Sequence, residues 1–197
     1  MRISRRFTQP NQDVYSAIEW TTRSSRISNS DGSTVFEMND AEVPASWSQL
    51  ATDIVVSKYF RKAGVPGTNH ETSVRQVVGR VAHTLRLEGE KAGYFSAVDA
   101  QTFEDELLYL LINQMGAFNS PVWFNVGLFH QYGVKGAACN WHWDAETESV
   151  RVPENPYEYP QGSACFIQSV GDNMEEIMEL ARSEAMLFKF GSGTGTD

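Results

Sequence analysis

The stretch from Pro160 to Asp197 constrains the fold more than any other part of the chain. Its short apolar run, Ala164–Ile167, holds a cysteine and predicts a strand or an extended segment. Asp172 and Glu175 have the spacing of a capping box at a helix N-terminus. Apolar residues then recur at helical spacing as far as position 188, and glycines end the pattern. The stretch therefore predicts a strand, a capped helix and a glycine-rich segment, in that order.

The glycine-rich segment, GSGTGT at 191–196, differs from two familiar phosphate-binding motifs. No lysine follows the glycines as in a P-loop. The segment also follows a helix, whereas a dinucleotide fingerprint follows a strand. Its backbone N–H groups and hydroxyls are expected to be open to an anion. A flexible helix terminator is the alternative that the residues alone leave open.

Residues 1–117 read as mainly helical, with one small β-hairpin. A turn at Asn29–Gly32 joins two short strands within residues 26–37. Apolar periodicity then predicts three helices. The first starts at a capping box of Ser46 and Gln49 and ends at Gly64, and the others span about 73–87 and 99–115.

The character of the sequence changes near residue 118. The segment that begins at Ser120 is rich in β-branched and aromatic residues, and residues 133–160 are typical of a loop. Ser120 precedes a proline, so its backbone is expected to be extended. We therefore predict two domains, a helical one at 1–117 and a second one at 118–197.

Charge and composition exclude several classes of partner. The net charge of −9 argues against broad binding to a nucleic-acid backbone, which needs a basic surface. No apolar run approaches the roughly 20 residues that a membrane helix needs, and the N-terminus lacks the apolar core of a secretory signal. The two cysteines are widely spaced, so we expect reduced thiols in a cytoplasmic protein.

The polar residues that stand out each have an ordinary structural explanation. From the residues alone, Cys165 is best read as a buried thiol that packs as a small hydrophobe. Ser120 fits a turn or a cap, and Asp172 fits a helix cap.

Residues 139–143 offer a possible half of a metal site and a pair of tryptophans. Cys139 and His142 have a spacing seen in zinc sites, but a structural zinc needs four ligands and no second pair is visible. We therefore predict no metal. Trp141 and Trp143 are interpreted as local packing and not as a platform for stacking bases.

Several linked motifs nevertheless resemble one enzyme family. SACFI, D-x-M-E-x-I-M and EAMLFKFGSGTGT follow one another between residues 163 and 196. Upstream, FNSPVWFNVG at 118–127 and VPASWSQLATDIVVSKYFRKAGVP at 43–66 extend the similarity over most of the chain. Together they resemble the N-terminal portion of ribonucleotide reductases of the adenosylcobalamin-dependent class II type. The resemblance implies an α/β fold, in which a mainly helical domain leads into the first elements of an incomplete α/β barrel.

The resemblance implies roles for four residues near the substrate. Cys165 would be one of a redox pair that supplies two electrons and becomes a disulfide, and its partner thiol lies further along the family's sequence. Ser120 would bind the substrate nucleotide through its hydroxyl, and Ala164, Cys165 and Gly193 would contact it through their backbones. The implied reaction reduces ribonucleotides to 2′-deoxyribonucleotides, for DNA synthesis, by thiyl-radical chemistry.

The same resemblance implies cofactors and partners. Adenosylcobalamin would generate the radical, and a thioredoxin- or glutaredoxin-type protein would reduce the disulfide. The resemblance points to a ribonucleoside-diphosphate reductase, although the motifs leave open whether diphosphates or triphosphates are used. Asp172 would bind the ribose of an allosteric deoxynucleotide effector, and helix 173–190 would pack against its twin in a homodimer.

Two other kinds of protein remain open at this stage. One is a standalone nucleotide-binding module that has no redox activity, and the other is a dimerising interaction protein. Because the remaining catalytic residues of the family are not in this chain, the chain alone is expected to be inactive. It would act together with the remainder of the reductase polypeptide.

Overall fold

A computed structural model of the chain describes residues 1–137 and 140–197. The chain divides into two compact units. Unit 1 comprises residues 1–117 and 130–132, and unit 2 comprises residues 118–129 and 133–197. Across the described part of the chain, no helix has both the length and the apolar content needed to cross a bilayer.

In unit 1, a 3₁₀ turn at Val14–Ala17 precedes a long antiparallel hairpin. Its strands are β1 (Trp20–Ser28) and β2 (Thr34–Pro44). In the connecting turn, the Asn29 N–H donates to the Ser33 carbonyl at 2.8 Å, and Gly32 takes a left-handed φ of 85° that favours glycine. The predicted hairpin and its turn are confirmed, but the strands extend well beyond residues 26–37.

Three helices follow in unit 1. They are α1 (Gln49–Ile54), which continues as a π-helical turn at Val55–Tyr59, then α2 (Val74–Lys91) and α3 (Ala97–Ile112). The predicted cap of α1 at Ser46 is wrong, because the Ser48 hydroxyl accepts the Ala51 N–H at 3.1 Å. The reason is Trp47, whose buried ring donates its indole N–H to the Ile112 carbonyl and holds the preceding residues outside the helix.

A charged pair lies inside unit 1 beside the apolar core. Glu71 and Arg80 form an ion pair at 2.8 Å, and their side chains are 0% and 1% exposed. The Glu71 carboxylate also accepts the Arg61 N–H at 2.7 Å and the Tyr132 hydroxyl at 2.8 Å. Burial and the adjacent Glu71 carboxylate raise the pKa of Tyr132, so its hydroxyl stays a donor. This network joins α2 to the end of the segment at 130–132. The surrounding core includes Val43, Val56, Val74, Val77, Val81 and Ile112.

Unit 2 contains short helices, a small hairpin and one β-α-β segment. Its elements are α4 (Ser120–Asn125), the start of α5 (Leu128–Tyr132), β3 (His142–Asp144), β4 (Ser149–Arg151), β5 (Cys165–Gln168), α6 (Met174–Lys189) and β6 (Gly193–Thr196). Strands β3 and β4 are antiparallel, whereas β5 and β6 are parallel. The mixed α and β content is as predicted. The described residues form no closed barrel, so the barrel remains a proposal.

The expectation of an extended backbone at Ser120 is wrong. Ser120 is the first residue of α4, and the Asn119 side chain caps that helix by accepting the Val122 N–H at 3.2 Å. Pro121 is tolerated because the first turn of a helix has no intrahelical use for its missing N–H. The cap therefore outweighs the usual preference of a residue that precedes proline.

Candidate functional site

The β-α-β segment starts with the predicted strand at Cys165, but the cap of α6 is shifted by one residue. The Asn173 side chain accepts the Glu176 N–H at 3.0 Å, and the Glu176 carboxylate accepts from the Asn173 amide and from the Gly171 N–H. These hydrogen bonds lower the pKa of Glu176. The predicted box of Asp172 and Glu175 is therefore wrong. Asn173 caps the helix because its own backbone is extended there.

The end of α6 is a tight reversal built on Gly191. Gly191 has a φ of 80° and donates its N–H to the Phe188 carbonyl, and the Ser192 N–H donates to the Leu187 carbonyl. This is the Schellman pattern of helix termination. A Cβ on Gly191 would lie 2.5 Å from a ring carbon of Phe124, so glycine is required here.

The prediction that the glycine-rich segment leaves its backbone N–H groups open to an anion is wrong for residues 191–193. All three backbone N–H groups donate to carbonyl oxygens, and that of Gly193 reaches Ala164 at 2.6 Å. The segment then continues as β6 and pairs with β5. Two side-chain bonds fix this pairing, from the Ser192 hydroxyl to the Ser163 carbonyl at 2.6 Å and from the Gln168 amide to Thr194 Oγ1 at 2.8 Å.

The parallel pairing brings three predicted site residues together. Cys165 lies directly opposite Gly193, and Ala164 bonds to it. Cys165 is exposed, so the buried, hydrophobe-like thiol expected from the residues alone is not what the structure shows. A Cβ added to Gly193 would lie 3.7 Å from the Cys165 sulfur. The absence of a side chain there leaves the thiol uncovered on that side.

Helix α4 is tied to both ends of the β-α-β segment by a residue that sequence reasoning missed. The buried Asn125 side chain donates to the Gln161 and Phe190 carbonyls, each at 3.2 Å. These carbonyls precede β5 and follow α6, so the bonds hold α4 against both. Ser120 stands at the other end of the same short helix. The sequence feature that could have indicated this role is the single amide side chain of Asn125 within the apolar run VWFNVG.

Asp172 does not lie beside the other predicted site residues. It is exposed and lies between β5 and α6, at the end of β5 opposite to Cys165. Its side chain is free of the capping role that the sequence suggested, since Asn173 takes that role. The structure therefore separates the proposed effector residue from the proposed redox residue by the length of one strand.

The hairpin of β3 and β4 corrects another prediction. Trp141 and Trp143 are 67% and 60% exposed, so the interpretation as local packing is wrong. His142 stacks on Tyr159 with 3.7 Å between ring centroids. Cys139 lies outside the described residues, so the possible half of a metal site that it would form with His142 is not tested here.

Helix α6 and strand β5 each leave large apolar side chains uncovered. No residue of α6 is buried, and Met174 is 72% exposed. Met178 and Phe188 are also exposed, and Ile167 on β5 is 90% exposed. Several large exposed apolar side chains on one helix are typical of an interaction site.

Comparison with known proteins identifies the family. A family model for class II vitamin B12-dependent ribonucleotide reductases matches residues 21–114. A vitamin B12-dependent ribonucleotide reductase from Rhodopirellula baltica is 57% identical over 93% of the chain. Those from Agrobacterium fabrum and Streptomyces avermitilis are 42% and 41% identical over 100% and 99% of it. This chain belongs to the class II vitamin B12-dependent ribonucleotide reductase family.

The family resemblance read from the motifs is thereby confirmed. The chain spans only 18%, 18% and 17% of the lengths of these three reductases. The greater part of each relative thus has no counterpart among these 197 residues. The described structure of this chain has an exposed thiol at Cys165 and uncovered apolar side chains on α6.

Proposed function

We propose that the chain is the N-terminal portion of a ribonucleotide reductase and supplies one of its two redox thiols, that of Cys165. The observation that carries the proposal is the exposed thiol beside Gly193, at the start of a β-α-β segment in a member of this family. A redox thiol must be reachable by substrate, by a second thiol and by a reductant. The exposed sulfur of Cys165 meets that requirement.

The proposed reaction balances with two thiols. The C–O bond at the 2′ position breaks and the hydroxyl leaves as water. Two cysteine thiols give up two electrons and two protons and form a disulfide. Cys165 is one of them, and the second belongs to polypeptide outside this chain. A thioredoxin- or glutaredoxin-type dithiol then reduces the disulfide by exchange through a mixed disulfide.

We assign the substrate contacts to the same part of unit 2. The Ser120 hydroxyl binds the ribonucleotide, and the backbones of Ala164, Cys165 and Gly193 contact it. The carbonyl of Ala164 and the N–H of Gly193 already bond to each other, so their contribution is to shape the cleft beside the thiol. Asn125 positions Ser120 by fixing α4 against the β-α-β segment.

Allosteric and assembly roles fall on the other end of the segment. Asp172 binds the ribose of a deoxynucleotide effector, because an exposed carboxylate accepts hydrogen bonds from a hydroxyl. The uncovered apolar face of α6 (Met174–Lys189) packs against its twin in a homodimer and against the remainder of the reductase. The chain acts in the cytoplasm, where its thiols stay reduced between turnovers.

Two cavities of the described residues do not fit adenosylcobalamin. One, in unit 2, has a volume of about 230 Å³ and is smaller than a corrin ring. The other, in unit 1, has a volume of about 810 Å³, and its lining includes the ion pair of Arg5 and Asp105 at 2.7 Å. We therefore propose that the cofactor, which supplies the radical, is bound by polypeptide outside this chain.

A chimera tests the redox role. The chain replaces the aligned segment of the Rhodopirellula baltica reductase, and deoxyribonucleotide formation is measured with adenosylcobalamin and a dithiol. We expect the chimera to be active and Cys165→Ser to abolish turnover. Cys139→Ser is the matched control and should retain activity. Turnover by the 197-residue chain alone, or equal activity of the two serine variants, would contradict the proposal.

A further inference from the structure

The two faces of the β3–β4 hairpin show the reverse of the usual burial. On one face, Trp143 and Val150 lie directly opposite each other across the strands and are 60% and 58% exposed. On the other face, His142, Asp144 and Ser149 are half-buried. An antiparallel hairpin commonly turns its apolar face to the core and its polar face to water. In this hairpin the polar face is the covered one, and the apolar face lies in solvent.

Contacts of the polar face fix this orientation. His142 stacks on Tyr159 with 3.7 Å between the ring centroids. Asp144 pairs with Arg151 at 2.8 Å and accepts the Thr147 hydroxyl at 2.8 Å. A shift of the register by one residue would exchange the two faces of a strand, and it would break these contacts. The outward position of the apolar face is therefore specified by the fold.

Two amides fasten the foot of the hairpin to the rest of unit 2. The buried Asn155 side chain donates to the Val134 carbonyl at 2.9 Å, and the Asn140 side chain donates to the Tyr159 carbonyl at 2.6 Å. Each bond joins the segment that leads into the hairpin to the segment that leaves it. An isolated two-stranded hairpin is at best marginally stable, so these bonds hold the apolar face as a fixed projection.

The area of the apolar face limits what can cover it. Trp141 and Val152 continue the two-residue spacing just beyond the strands and are 67% and 45% exposed. Together with Trp143 and Val150 they form the hairpin face, which presents on the order of 500 Å². Each partner in a stable protein complex contributes roughly 800 Å². The hairpin face is too small to hold a separate protein. It suffices for a tethered segment, whose effective concentration is in roughly the mM range.

Charge narrows the choice of occupant further. Arg151 is the only lysine or arginine in residues 140–160, and it is already paired with Asp144. The carboxylates of the same stretch are Asp144, Glu146, Glu148, Glu154 and Glu158. A second copy of the chain would bring the same acidic stretch and a net charge of −9, and like charges repel each other. A complementary occupant is apolar at its centre and has lysine or arginine at its margin.

From these features we infer that the hairpin face is the docking site for an apolar segment, with a basic margin, of the reductase polypeptide outside these 197 residues. The length for such a segment exists in the relatives, because the chain spans only 18% of the Rhodopirellula baltica reductase. The inference rests on the proposal that the chain is part of a longer reductase. It does not depend on the redox role of Cys165.

Hydroxyl-radical footprinting with mass spectrometry tests the inference, because the oxidation rate of an aromatic side chain follows its exposure. The 197-residue chain is compared with the chimera in which it replaces the aligned segment of the Rhodopirellula baltica reductase. We expect Trp141 and Trp143 to oxidise at least about fivefold more slowly in the chimera, because docking excludes water. Tyr94 in unit 1, which is 63% exposed, is the reference and should oxidise equally in both. Equal rates at Trp143 would overturn the inference.

A substitution on the hairpin face identifies what covers it. In the chimera, Trp143→Glu should return the oxidation of Trp141 to its rate in the free chain, because a carboxylate is costly to bury against an apolar segment. Val98→Glu on α3 replaces another exposed apolar residue and is the matched control, which should leave Trp141 protected. Equal effects of the two variants would contradict the assignment. Thermal melting checks that each variant folds.

The free chain tests the choice of occupant. Oxidation of Trp143 in the 197-residue chain should be the same at low and high protein concentration. Slower oxidation at higher concentration would identify a second copy as the occupant and would contradict the inference. The basic margin predicts that Glu146→Lys with Glu148→Lys speeds oxidation of Trp143 in the chimera, and an unchanged rate would count against that margin.

The Cys165→Ser chimera separates this inference from the redox role. The substitution should abolish turnover and leave Trp143 protected. Protection of Trp143 without turnover in the unsubstituted chimera would count against the redox role alone. Turnover with a fully exposed Trp143 would count against the docked segment alone.

Discussion

Helices α2 and α6 have similar amphipathic sequences but opposite surroundings. Helix α2 buries eight residues, from Val74 to Gly89, whereas α6 buries none. Both begin at a side-chain cap, so local sequence is enough to specify each helix. The difference lies in what covers the apolar face. Helix α2 finds its core within unit 1, and α6 presents its face to solvent in the described structure.

The two units differ in how far their apolar side chains are covered. Unit 1 contains its own core and even a buried ion pair, which needs a finished interior. Unit 2 carries the exposed thiol of Cys165 and bare apolar residues on α6 and β5. Since the related reductases are more than five times longer, our proposal is that polypeptide outside these residues covers this apolar surface. The following predictions test that difference.

Removal of the buried arginine in unit 1 should have the largest effect on stability. Arg80→Met leaves the Glu71 carboxylate buried without its partner, which typically costs about 3–5 kcal/mol. Urea unfolding followed by circular dichroism measures the change. Arg182→Met on α6 is the control, because its pair with Glu179 is exposed and its loss should not be measurable. Similar midpoints for both variants would show that the interior of unit 1 is not as closed as described.

Two glycine substitutions test whether contacts within unit 2 fix the end of α6. Gly191→Ala places a methyl group against the Phe124 ring at a left-handed φ, and we expect a loss of about 2 kcal/mol or more in unfolding free energy. Gly195→Ala, which has nothing within 4 Å of the added carbon, should leave the midpoint nearly unchanged. If both variants unfold alike, the reversal after α6 does not depend on Gly191.

Matched truncations compare the two helix faces directly. Val81 on α2 is fully buried, so Val81→Ala should cost about 2 kcal/mol in unfolding free energy. Ile177 on α6 is exposed, so Ile177→Ala should change little although it removes more apolar surface. Chemical denaturation of the chain measures both. A larger loss at Ile177 than at Val81 would mean that α6 is already covered within this chain.

The smallest effect concerns the β3–β4 hairpin and depends on pH. Hydrogen bonds from Thr147 and Arg151 lower the pKa of Asp144 to about 2. Because this pKa is depressed below its unfolded value of about 3.9, the carboxylate stabilises the hairpin above pH 4, and that contribution fades as pH falls towards 2. Carboxyl chemical shifts should report the low pKa of Asp144. The Asp144→Asn variant should remove the pH dependence of the stability of this hairpin. A normal pKa would show that the hairpin bonds are not formed in solution.

The sequence predicted those features that depend on local chemistry. The Asn29–Gly32 turn, the strand at Cys165 and the helix that ends near residue 189 are each encoded by a few neighbouring residues. Caps were misplaced by one or two positions, because Ser46 and Ser48, or Asp172 and Asn173, are equally good caps until tertiary packing chooses between them.

Features that depend on distant partners were not predictable. The glycines at 191–195 were predicted to be available to an anion, yet their segment pairs with a strand whose residues lie 28 positions earlier. The bonds of Asn125 to Gln161 and Phe190, and of Tyr132 to Glu71, join residues 36 to 65 positions apart. A single sequence gives no signal that pairs such residues.

Hydrogen exchange across α6 tests the central claim most directly, which is that polypeptide outside this chain completes unit 2. Exchange of residues 174–189 is compared between the 197-residue chain and the chimera with the Rhodopirellula baltica reductase. We predict that these amides exchange at least about tenfold more slowly in the chimera, whereas those of residues 74–91 are protected equally in both. Unchanged exchange across 174–189 in the chimera would contradict the account.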